Sequence, residues 1–330
     1  MSRKMLALAL CLLLPPLVDA APQVTLGVVN WIGYGPIYCA ADNGDYRRYG
    51  LDVRLVTFSD NSLMSGALEG GELTASTLTY DQVLVAAARH WDLKVVMPVD
   101  YSTGGDAILA SNAVHSVRDL KGRAVAFQPV SPSDFLLGYA LAQVGLTERD
   151  IRAVNATPEG VVGVMASGSV AAGVTYQPSV SVILKMGGGK LYHVLLSSRD
   201  ARGMITDVLA VKQSTIVQDP KLVEGLIRGT LDGLAFMHKQ PAKAAALIAH
   251  RLEVSVADVQ SQLPNIENPG LHQLGDVFNQ AEALPSFHAS GKVIGGILMK
   301  EGLLKSLPPI AATYDAHFVA LVQAHPGDLQ

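Results

Sequence analysis

Val99-Asp100-Tyr101-Ser102-Thr103-Gly104-Gly105-Asp106-Ala107-Ile108-Leu109-Ala110 runs from an apolar strand, through a polar turn, into a second apolar strand. Val95 to Val99 is β-branched and apolar enough for a buried strand, and Gly104-Gly105 gives a turn whose backbone N–H groups no side chain shields. Asp100 and Asp106 flank that turn. In an α/β pattern, ligands gather outside the ends of strands, so the stretch reads as the floor of a small-molecule cleft and the start of a crossing between two lobes. A tight turn with solvated acids fits the same residues, and the segment alone leaves both readings open.

Working outward, the chain alternates strands and helices. Val24 to Asn30 is a strand that ends at Trp31-Ile32-Gly33-Tyr34-Gly35-Pro36, with helical spacing over Ile37 to Asp42 and proline at a natural first position. Asp52 to Phe58 is a strand and Leu63 to Leu68 a helix. Leu73 to Ser76 is a short strand opening on Thr77-Leu78-Thr79, and Tyr80 to His90 is an Ala-rich helix. The βαβαβαβ order predicts a largely parallel sheet with helices on both faces.

After Ala110 the pattern restarts. Val117 to Gly122 is a turn of helix, Ala124 to Phe127 a strand, and Ser131-Pro132-Ser133-Asp134 caps a helix through Val144. Ile151 to Val154 is a strand, and Thr157-Pro158-Glu159 caps a helix to about Ala166. Ala171 to Thr175 is a strand ending at Tyr176-Gln177-Pro178. Tyr192 to Leu196 and Asp207 to Val211 are the last strands, and from Asp219-Pro220 onward the apolar spacing is helical. The simplest organisation is a first lobe from 21–109 and 208–330, with a second lobe, 110–207, inserted.

Residues 1–20 carry a basic start, Ser2-Arg3-Lys4, an apolar run from Met5 to Val18, and small residues at Val18-Asp19-Ala20. This is a secretory signal peptide; its apolar run of roughly 14 residues falls short of the roughly 20 that span a membrane. Cys11 follows Leu10, where lipidation wants a small residue. Removing Arg3, Lys4 and Asp19 takes the formal charge from −4 to −5, which disfavours nucleic acid as a partner. Only Cys39 then remains, so no intrachain disulfide is available and stability must come from a core.

Trp31 and Tyr34, Thr77 and Thr79, Asp100 and Asp106, Ser131 and Ser133, and Tyr176 all follow strand ends. Convergence at one sheet edge would offer hydroxyls, helix N-termini and aromatic faces to one ligand; individually, the threonines and serines also suit ordinary helix caps. Catalytic patterns are poor. The nine histidines have neither the spacing nor the carboxylate company of a metal site. Gly187-Gly188-Gly189-Lys190 is followed by Leu191 where a phosphate loop needs Ser or Thr, and reads as a surface turn. Cys39 has no base beside it and reads as an inert buried thiol.

Gly44-Asp45-Tyr46 with Gly50-Leu51-Asp52-Val53, then Val117-Arg118-Asp119-Leu120-Lys121-Gly122-Arg123-Ala124-Val125-Ala126, then Leu141-Ala142-Gln143-Val144-Gly145-Leu146, resemble the nitrate, sulfonate and taurine family of ABC-importer substrate-binding proteins. Binders of thiamine-pyrimidine precursors and fungal pyrimidine-precursor synthases are similar to that family. The resemblance spans roughly residues 24–240. It implies a type II periplasmic-binding-protein fold: an α/β architecture of two Rossmann-like lobes with a cleft between them and a helical C-terminal part. It also implies delivery of a small molecule to a membrane permease and its ATPase.

Carried over by position, the resemblance places ligand contacts on Trp31 to Tyr34, Thr77 to Thr79, Asp106, Ser131 to Phe135, and Tyr176. Many relatives have Trp near that last position; Tyr176 keeps an aromatic face and adds a hydroxyl. The synthase branch carries a cysteine-rich motif with active-site lysine and histidine, and no such cluster occurs here. No Arg lies in the pocket loops, whereas Asp100 and Asp106 do, so a neutral or cationic nitrogenous ligand is favoured over a sulfonate or nitrate.

These readings together expect an exported, periplasmic solute receptor: not an enzyme, without cofactor or metal, with no membrane span of its own, monomeric, and closing about crossings near Leu109 and Val208. The alternatives are a synthase-like enzyme and a ligand receptor for a sensor kinase.

Overall fold

A computed structural model describes residues 23–327 and Leu329. The signal-peptide segment, 1–20, lies outside the described residues. Strand β1 (Gln23–Val29) exposes Gln23 and buries Val24, Leu26 and Val28, so one side of it faces a core from the first turn onward. Helix α1 (Gly35–Asn43) has Pro36 in its first turn and stops where Gly44 takes a left-handed φ of 74°. Then come β2 (Asp52–Phe58), α2 (Met64–Gly70), β3 (Ala75–Thr79), α3 (Tyr80–Ala88), β4 (Leu93–Ser102) and β5 (Asp106–Ser111).

The second run contains β6 (Ala124–Phe127), α4 (Pro132–Gln143), β7 (Arg152–Asn155), α5 (Pro158–Ala166), β8 (Ala172–Tyr176), α6 (Ser179–Lys185) and β9 (Tyr192–Ser197). The chain then returns through β10 (Thr206–Lys212) to α7 (Gln213–Gln218), α8 (Pro220–Lys239), α9 (Pro241–Leu252) and α10 (Val256–Gln262). It ends with β11 (Ile266–Glu267), α11 (Phe287–Glu301) and α12 (His317–Ala324). Asp219 caps α8 by accepting from the Leu222 N–H, so the Asp-Pro pair read as a helix start acts as one.

Two sheets result, in the orders β11-β4-β10-β3-β1-β2 and β7-β6-β8-β5-β9. The expectation of a largely parallel sheet is corrected: both are mixed. β1 is parallel to β2 and β3, but β10 enters between β3 and β4 antiparallel to each. In the second sheet β6 is parallel to β7 and β8, while β5 opposes both β8 and β9. Apart from the two-residue β11, antiparallel to β4, the reversed strands are those that connect the lobes, and the side from which a crossing enters a sheet leaves no local periodicity to read.

Sheet membership changes at Thr103–Gly105 and again between Ser198 and Ile205. Asp106 to Leu109, assigned by the sequence pattern to the first lobe, therefore pair within the second sheet. The two crossings touch: Ser102 and Ser198 share a hydroxyl–hydroxyl hydrogen bond of 2.7 Å, and the Gly104 N–H donates to Ser198 Oγ at 2.8 Å. The C-terminal helices pack around the first sheet, α8 and α9 on α1, while α11 reaches both α3 and α4 and so spans the two lobes.

Candidate ligand-binding site

Strands β1, β2, β3, β5, β8 and β10 place their ends around one small cavity of about 10 Å³, room for about one water. Its wall is Val29, Trp31, Tyr34, Asn61, Thr77, Thr79, Gln82, Asp106, Pro132, Tyr176 and Asp207. Six of the residues singled out in the sequence meet here: Trp31, Tyr34, Thr77, Thr79, Asp106 and Tyr176.

Trp31 is held from behind. Its indole Nε1–H donates to both carboxylate oxygens of Asp100, at 3.2 and 3.1 Å, and its ring meets Tyr176 edge-to-face with centroids 5.5 Å apart. This contact needs a bare backbone beside it: a Cβ on Gly33 would lie 2.3 Å from Asp100 Oδ2, and one on Gly105 would lie 2.5 Å from Trp31 Cη2. Asp100 thus belongs to the support of the wall and does not line it.

Asp207, which the sequence pattern passes over as the first residue of a strand, sits opposite Asp100 on the neighbouring strand. The Tyr34 hydroxyl donates to Asp207 Oδ1 at 2.5 Å. Both carboxyls are wholly buried and are raised well above the ordinary carboxylate range, first by burial; repulsion from Asp100 adds to this for Asp207. The pair accordingly retains a proton at neutral pH. Burial also raises Asp106 to about 7, against the lowering effect of a hydrogen bond from Ser102. Asp106 Oδ2 is buried and has no hydrogen-bond partner among the described residues.

Across the cleft runs a second network that the sequence did not reveal. Asn61 Nδ2 donates to Gln128 Oε1 and to the Tyr176 hydroxyl, both at 2.9 Å, and Gln128 Nε2 donates to Asp60 Oδ1 at 2.7 Å. Gln82 Nε2 donates to the Asn61 carbonyl at 3.0 Å. Asn61 lies just after the end of β2, so the strand-end rule that selects Trp31 and Thr77 applies equally to it. Asp60, Asn61 and Gln82 belong to the first lobe, Gln128 and Tyr176 to the second.

Two of these wall residues also bond to the backbone, and the remaining predicted residues, Ser131, Ser133 and Phe135, have other places. Thr77 Oγ1 donates to the Gly27 carbonyl, and Thr79 caps α3 with Gln82 reaching back to its N–H. Ser131 caps α4, accepting from the Ser133 and Asp134 N–H groups. Ser133 Oγ is buried without a hydrogen-bond partner among the described residues, and Phe135 is a core residue tilted against Tyr139. Of this segment only Pro132 lines the cavity. Cys39 is buried, and burial pushes its thiol up to about 12.

The family model described as NMT1/THI5 like matches residues 31–244. The chain belongs to the NMT1/THI5-like family. Among curated relatives, the riboflavin-binding protein RibY of Chloroflexus aurantiacus is 28% identical over 239 residues, covering 69% of this chain and 67% of that protein. The taurine-binding periplasmic protein of Escherichia coli is 22% identical over 195 residues, covering 58% and 59%. The alkanesulfonate-binding protein SsuA of Xanthomonas axonopodis pv. citri superposes with a TM-score of 0.73 at 19% identity, over 90% of this chain and 100% of that one.

The fold is therefore the two-lobed periplasmic-binding-protein fold, and the two curated relatives are binding proteins by name. No helix among the described residues is long and apolar enough to cross a membrane.

Proposed function

We propose that this chain is an exported, periplasmic solute-binding protein whose lobes close on one small nitrogenous molecule and deliver it to a membrane permease with its ATPase. The observation that carries the ligand class is the lack of a cationic side chain in the wall, which holds the acids Asp106 and Asp207 and no Lys, Arg or His. A buried Asp106 oxygen without a partner calls for a donor, and an N–H group or cation supplies one. The faces of Trp31, Tyr34 and Tyr176 suit a cationic or flat nitrogen-containing body. A relative named for riboflavin, a nitrogen heterocycle, is in keeping with this. Sulfonate recognition would instead rest on neutral donors, backbone N–H groups and the Asn61 and Thr79 side chains, without a cation to pair with.

The test is a calorimetric screen at pH 7 of amines and nitrogen heterocycles against taurine, alkanesulfonates and nitrate. A cation docking on Asp106 favours its ionised form, so binding is expected to release protons, visible as a heat that depends on the buffer. Asp106→Asn should weaken binding at least about tenfold. Tight binding of taurine or an alkanesulfonate that Asp106→Asn leaves unchanged would overturn the assignment.

A further inference from the structure

Away from the cleft, three carboxylates from three segments converge where α11 meets the second lobe. Asp134 is in the first turn of α4, Glu148 opens the short turn Glu148–Asp150, and Glu301 is the last residue of α11. One oxygen from each lies within 4.8 Å of the others. Asp134 is 4% exposed; its Oδ2 accepts from the Val130 N–H at 2.6 Å, while Oδ1 is buried and meets no N–H or hydroxyl donor among the described residues. Glu148 Oε1 and both oxygens of Glu301 are likewise buried without such a donor, Asp134 and Glu148 stand within hydrogen-bond reach of each other if a proton lies between them, and no ion pair to any of the three occurs among the described residues. The notch is built for the Glu301 head: a Cβ on Gly138 would lie 1.5 Å from Glu301 Oε1.

We propose that Asp134, Glu148 and Glu301 form a site for a hard divalent cation, of the calcium or magnesium class, that ties α11 to the second lobe. An all-oxygen donor set with three acids selects such ions over the softer metals that want nitrogen or sulfur. Oxygens bound to one ion at roughly 2.3–2.6 Å each stand no more than about 5 Å apart, and the trio lies inside that limit. A surface hollow of about 270 Å³ bordered by Glu148 and Glu301 gives the ion a way in. Arg149 and Lys300 border the same hollow, and Asp81 adds its charge from α3, so the surroundings are mixed in sign. The competing way to relieve three buried acids is to protonate them, and the experiment separates the two.

Protein stripped with EDTA is melted, and titrated by calorimetry, at pH 7.5 with calcium, magnesium or manganese chloride. Saturable binding at one ion per chain is expected, with a midpoint rise of about 5 °C at a hundredfold excess over Kd. Glu301→Gln should weaken the ion at least about tenfold. Gly138→Ala keeps all three acids but fills the notch, and should weaken it as well. Equal cation responses in the wild type and both variants would overturn the site. So would the absence of any response from a protein that is stabilised only by acid. Neither readout uses the cleft ligand, so the result stands apart from the proposed function.

Discussion

Beside a Gly-Gly turn, Asp100 could be part of a cleft floor or a solvated acid; in the structure Trp31 covers it and Asp207 opposes it, so it supports the wall from behind. Burial raises both carboxyls far above the unfolded value of about 4, so between those values the folded protein binds more protons than the unfolded chain. Stability from this pair is complete below about pH 4 and is lost as pH rises through the folded values. From pH 6 to pH 8 the thermal midpoint of the wild type is therefore expected to fall. Asp100→Asn keeps a carbonyl acceptor for the Trp31 indole and removes one charge from the pair, so its melting curve should be flatter over that range and its midpoint higher at pH 8. A steeper fall in the variant would show that the carboxylate is stabilising where it stands.

At the scale of elements, capping and apolar spacing were legible because they are local. Pro36, Ser131 and Asp219 start helices where their chemistry says they should. Strand direction was not legible: β10 looks like any apolar strand, and its antiparallel entry between β3 and β4 is decided by distant residues. The same holds for the partners of Asn61 and Asp207, which lie 115 and 173 positions away. Helix contacts show a further nonlocal requirement. α8 approaches α1 so closely that a Cβ on Gly233 would lie 2.0 Å from the Pro36 carbonyl, whereas one on Gly296 of α11 meets nothing within 4 Å. Urea denaturation should therefore separate two formally identical changes. Gly233→Ala is expected to cost roughly 1–3 kcal/mol or more, and Gly296→Ala to gain about 0.5–1 kcal/mol. Equal midpoints would mean that the α1–α8 contact relaxes freely.

For the molecule as a whole, the proposed function requires the lobes to part, because the cavity wall is drawn from both and the solute must enter. Two short crossings, Thr103–Gly105 and Ser198–Ile205, connect the sheets and are joined by the Ser102–Ser198 hydroxyl pair, so they can bend as one hinge. On the cleft side the lobes are held by the Trp31–Tyr176 ring contact and by the hydrogen bonds from Asn61 to Gln128 and Tyr176, with the exposed Lys185–Asp258 ion pair at 2.5 Å farther out contributing little. Asn61→Ala removes two buried hydrogen bonds made only when the lobes meet, each worth about 1 kcal/mol. The equilibrium should move toward the open form, and solute affinity should fall roughly 10- to 30-fold by the population lost from the closed form. Small-angle scattering of the variant without solute is expected to give a larger radius of gyration than the wild type, with saturating solute restoring it. If radius and affinity both stay at wild-type values, this network does not govern closure, and the hinge must be sought elsewhere in the interface.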